Sequence, residues 1–169
     1  RVLDVLGLAG NVQTARLMED ILNRDVPAAL LQLHQLYSGG KDVGALLGEL
    51  STLTRDILIR MTAPEGGAAL LSGGFDTALM DRLSVGLTPT RLIYMAATLQ
   101  NTLAALPLSA NRRTDAELCV MRLCDESLCG DVTALAARLD RLEAGGIPAA
   151  RSAAPTPQQT TPRQNPAPV

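Results

Sequence analysis

Apolar positions along this chain recur at intervals of three and four, and no stretch alternates with period two for long enough to make a strand. The pattern predicts a helix over about 12–24, with Leu17, Met18, Ile21 and Leu22 on one side. Asp25 and Pro27 supply a cap and an early-turn proline for a second over 26–38, where Leu30, Leu33, His34 and Tyr37 share a face and Gly39-Gly40 stop it. The clearest stripe is Leu46, Leu47, Leu50, Leu53, Ile57, Leu58 and Met61, within a helix opened by Asp42 and running over 42–62. A loop at 63–74 and a short helix at 75–84 follow. Thr88-Pro89 starts a helix over 89–106 that carries Leu92, Met95, Ala96, Leu99, Leu103 and Leu106, and Pro107 ends it. Two further helices are expected, at 111–128 and 132–144, the last with Leu135, Leu139 and Leu142. The fold class is therefore all-α: a compact bundle of about five to seven helices, followed by a disordered Pro-rich tail.

The stretch `SANRRTDAELCVMRLCDES` breaks the simple pattern. Read as one helix, it presents a wide apolar arc of Ala116, Cys119, Val120, Met121, Leu123 and Cys124. Asp115, Arg122, Asp125 and Glu126 form a narrow polar stripe with Leu118 in its middle, and a solvated face is the default for these acids. Arg113 and Glu117 project within the apolar arc, four residues apart and close enough to pair. Such a pair either snorkels at the edge of the arc or fixes the angle at which this helix meets another helix or subunit. A helix apolar over more than half its circumference is packed on more than one side.

Composition supports helices and argues against chemistry. The chain is 47% hydrophobic but only 2% aromatic, so its core is built from Leu, Ala, Val, Ile and Met. A net charge of -2 gives no broad footprint for nucleic acid. No apolar run approaches the roughly 18 residues of a membrane span, and no signal peptide is recognisable. The chain has no initiator Met and reads as a piece of a longer protein. Six of the ten prolines fall between 148 and 168, beside Arg151 and Arg163 and no acid, which leaves a helical body of about -4 and a tail of +2.

No `GxxxxGK[ST]` is present, so no phosphate-cradling loop is expected. Cys119, Cys124 and Cys129 lie five residues apart, which turns each about 140° from the last on a helix and prevents convergence on one ion. They read as buried structural thiols in a reduced cytosol. His34, the only histidine, has no Ser or Cys partner at a useful spacing and reads as a core or boundary residue. No catalytic, cofactor-binding or metal residue is assigned.

The motifs carry a family resemblance. `TPTRLIYMAATLQNTLAAL` followed by `SANRRTDAELCVMRLCD` resembles the third domain of the bacterial DNA polymerase III gamma/tau subunit, through Arg113, Glu117, Val120, Met121, Arg122 and Leu123. `VLGLAG` at 5–10 is similar to that family's junction after an AAA+ lid domain, and `LMEDILNRDVPAALLQLHQLYSGGKDVGALLGEL` to the first helices of its collar. The resemblance implies a cytoplasmic oligomerisation collar over 11–130, preceded by a junction at 1–10. An extra helix at 131–146 and a Pro-rich linker at 147–169 follow it. It also implies partners: other clamp-loader subunits through the collar, in a hetero- or homo-oligomer, with the sliding clamp and primed DNA reached only through the whole complex, and no membrane. ATP and zinc are expected only in domains upstream of residue 1. Arg113, Glu117, Leu118, Met121 and Arg122 are the candidate subunit-interface residues. Two other readings stand beside it: a helix-pair repeat scaffold that binds peptides, suggested by 12–62 but not repeated after residue 63, and a small helical enzyme, which the lack of an acid, base or metal cluster disfavours.

Overall fold

The computed structural model describes residues 2–128, 130 and 132–145, with backbone alone over 2–10. Among these residues the fold is all-α: α1 (Val2–Leu22), α2 (Val26–Ser38), α3 (Val43–Thr62), α4 (Thr77–Ser84), α5 (Pro89–Ala105), α6 (Arg112–Cys124) and α7 (Val132–Gly145), without a strand. The Pro-rich segment and Cys129 lie outside the described residues.

Side-chain caps set most helix starts where the sequence placed them. Asp25 accepts a hydrogen bond from the Ala28 amide at 2.9 Å, Asp42 from Ala45 at 2.8 Å, Thr88 from Arg91 at 3.2 Å and Asn111 from Thr114 at 3.1 Å. Two boundaries differ from expectation. Helix α1 starts at Val2, because Gly7 and Gly10 each cost only about 1 kcal/mol of helix propensity and do not break it. Its real stop is a Schellman turn: the Asp25 amide donates to the Asp20 carbonyl and the Arg24 amide to the Ile21 carbonyl, with Arg24 at φ 61°. Helix α6 ends at Cys124 instead of 128, because the Asp125 carboxylate accepts the Ser127 amide at 2.9 Å and turns the chain into a 3-10 segment, Glu126–Leu128.

Helix α3 is the central element. Leu46, Leu47, Leu50, Leu53 and Ile57 are buried along it. It meets α5 most closely, through a face bearing Leu92, Met95 and Leu99, and also packs on α1, α4 and α6. Enclosed by these four, α3 is the centre of one bundle, and the 12–62 region is part of it. The inward face of α2 is Ala29, Leu33 and Leu36, while His34 and Tyr37 are exposed. His34 is thus a surface residue, because the true stripe runs one position round from the face the pattern suggested. Helix α7 joins the body by packing on α5 and the 126–128 turn, with Ala134 and Ala137 inward.

Candidate subunit interface

Helix α6 is held on its inner side by four helices, α1, α2, α3 and α5. Ala116, Cys119, Val120, Leu123 and Cys124 form that buried side. The wide apolar arc of the sequence is therefore largely satisfied within one chain. Burial pushes the Cys124 thiol up to about 11, against the opposing charges of Arg91 and Arg24, so it stays a neutral packing group.

The five interface candidates all fall on the outer half of α6, in two adjoining groups. Arg113 and Glu117 pair as expected, Nε to Oε1 at 2.8 Å, but with side chains 42% and 32% exposed. The pair is therefore half-solvated and not a buried ion pair. Arg113 also extends over the Tyr37 ring at 5.3 Å and reaches His34 Nδ1 at 3.2 Å, which ties the start of α6 to α2. Met121 is half-buried beside them. Leu118, 44% exposed, and Arg122 instead face α5. With Asp115, Thr98 and Asn101 they line an open depression of ≈ 230 Å³ between the two helices. The fully buried Tyr94 donates its hydroxyl to the Arg122 carbonyl at 2.7 Å and so ties α5 to α6.

The most strongly determined polar group lies just beyond α6. Glu126 is not on a solvated stripe: its side chain is 1% exposed and carries the only negative charge facing Arg24, Arg91 and Arg141 within 4 Å among the described residues. Arg24 donates to both carboxylate oxygens, at 2.6 and 2.8 Å, and to the Cys124 carbonyl at 3.0 Å. Arg141 from α7 donates at 3.2 Å, and Arg91 Nε stands 3.6 Å away. Burial opposes the charged form of Glu126, yet the Arg24 hydrogen bond, its own backbone and the Arg91 and Arg24 charges hold its carboxyl below the usual glutamate value. This knot joins the ends of α1 and α6 to α5 and α7, and so fixes the frame on which the outer face of α6 is presented. Sequence reasoning missed it because its partners stand far from Glu126 along the chain, with 102 residues separating it from Arg24.

Among the described residues, no helix is long and apolar enough to cross a membrane, and no cluster of His, Cys, Asp or Glu could hold a metal ion. The family model for DNA polymerase III subunits gamma and tau, domain III, matches residues 1–138. No curated protein matches the sequence.

Proposed function

Because the chain belongs to the family of domain III of the DNA polymerase III gamma and tau subunits, and so to a clamp-loader subunit of DNA replication, we propose that it is the oligomerisation collar of that subunit. In this role it holds the clamp-loader ring together while other domains do the chemistry. It hydrolyses no ATP itself, and it reaches the sliding clamp and primed DNA only through the assembled complex.

The observation that carries this reading is the outer face of α6. An exposed leucine, Leu118, and the apolar stem of Arg122 flank an open depression on a helix whose other side is fixed by four neighbours. Apolar groups of this kind at a rigid site form the centre of an interface, with charged residues at its rim. Arg113 and Glu117 would be rim residues, since a half-solvated pair adds orientation more than affinity. A ring needs two different patches on each chain, and the α6 face supplies one of them.

Titration of the chain against its cognate clamp-loader subunits tests this directly. Leu118→Glu and Arg122→Glu, both on the surface, should leave helicity unchanged and weaken association at least about tenfold, a loss on the order of 1.4 kcal/mol. Unchanged affinity in both variants would remove the α6 face from the interface.

A further inference from the structure

Helix α7 leaves its larger side chains outside. Val132, Leu135, Leu139 and Leu142 are each at least 45% exposed, while Ala134 and Ala137 face the body. At about 100° per residue, the centre of the exposed stripe lies roughly 150° round the helix from the alanines, so no described element of the chain can cover both. The exposed spacing is three, four, three, which is that of a heptad with Val132 and Leu139 at a, and Leu135 and Leu142 at d. Arg138 then occupies g and Glu143 the following e, one on each flank of the stripe.

We propose that α7 is a self-pairing surface, on which a second copy of this chain docks its own α7 in a parallel, in-register, two-stranded contact. Three features select that occupant. One of the two a residues, Val132, is β-branched and both d residues are leucine, a combination that favours two strands over three or four. In a parallel pair, g of one helix meets the next e of the other, so Arg138 faces Glu143 of the second copy, twice by symmetry. An antiparallel pair would set Arg138 against the partner's g positions, Arg138 or Gly145, and lose both opposite-charge contacts. Two heptads are marginal for an isolated coiled coil, but α7 is already folded here against α5 and anchored by Arg141 on Glu126.

This contact is distinct from the collar reading. It is isologous and joins two copies, whereas ring closure through α6 is heterologous. It therefore links chains that the ring contacts do not, and it can fail while the collar reading stands.

Sedimentation equilibrium of the whole 169-residue chain tests it. The parent should self-associate, and Leu139→Glu should raise the dissociation constant at least about tenfold while its helicity and its binding to cognate clamp-loader subunits persist. Arg138→Glu and Glu143→Arg should each weaken the pair, and the double variant should restore it. A short thiol-to-thiol cross-linker should capture dimers of Leu139→Cys but not of Ala78→Cys on α4, with the parent as blank for native cysteines. A monomeric parent would overturn the proposal. So would self-association that Leu139→Glu leaves intact, as when the stripe is covered by the chain's own later residues or by a different subunit. Failure of the double charge swap to restore pairing would overturn the parallel register.

Discussion

Replacing Glu126 by Ala removes the carboxylate on which Arg24, Arg91 and Arg141 converge, while Arg24 keeps the Cys124 carbonyl and Arg91 the Ile21 carbonyl at 3.4 Å. Removing one partner of a buried ion pair costs about 3–5 kcal/mol, because the charge left behind remains desolvated. Two of the three guanidiniums can recover: the Arg24 and Arg141 side chains are 28% and 43% exposed and can turn toward water. Arg91, 13% exposed, cannot, and its pKa is already lowered, first by burial and then by the charge of Arg24. The expected loss therefore sits near the lower end, about 3 kcal/mol. In a chain of this size that lowers the thermal midpoint by roughly 6–12 °C. Urea unfolding followed by circular dichroism measures it, with an unchanged m-value showing that the unfolding reaction is the same. A cycle with Arg24→Ala should give strong coupling, since that guanidinium makes both of the shortest bonds. A loss under about 1 kcal/mol, the level of an exposed pair, would refute the view that this knot is an energetic centre of the fold.

Other outcomes follow from the same geometry. The Glu126 carboxyl is held below its unfolded value of about 4.3, so its contribution is complete above that pH and disappears as pH falls through the folded value. An acid titration of stability should therefore show a steeper acid limb for the parent than for Glu126→Gln. Arg24→Gly relieves a left-handed residue worth about 1–2 kcal/mol. It should still destabilise the parent, and become neutral or stabilising in Glu126→Gln, as equilibrium unfolding would reveal. The Arg113–Glu117 pair is half-solvated, so a double-mutant cycle should find at most about 1 kcal/mol of coupling in folding. Mass-mapped alkylation near neutral pH should spare Cys119 and Cys124 until the chain unfolds, because both are buried and the Cys124 thiol is pushed up to about 11.

What was legible in the sequence was whatever local chemistry determines. Asp25, Asp42 and Thr88 are caps whose acceptors lie three residues ahead, and each opens its helix where the pattern said. The α3 stripe was equally clear, because a helix buried by several neighbours shows its periodicity most strongly. Errors arose where local signals compete. Residues 1–10 read as a junction ahead of the first helix yet lie largely within α1, while Asp125 looked like a surface acid yet ends α6. On α7 the pattern rested on Leu135, Leu139 and Leu142, but the side buried against the body is Ala134 and Ala137. That the five α6 residues divide between α2 and α5 was not legible, since that depends on which helices lie beside them. Glu126 was out of reach for the same reason. Its burial is created by arginines from α5, α7 and the turn after α1, none of them near it in the chain.

Native mass measurement of this chain mixed with its cognate clamp-loader subunits bears most directly on the collar role. A chain that acts as a collar should enter a stoichiometric complex with them at the expense of free monomer, and lose that place when Leu118 and Arg122 are both changed to glutamate. A chain that stays wholly monomeric beside those subunits at high concentration would contradict the role.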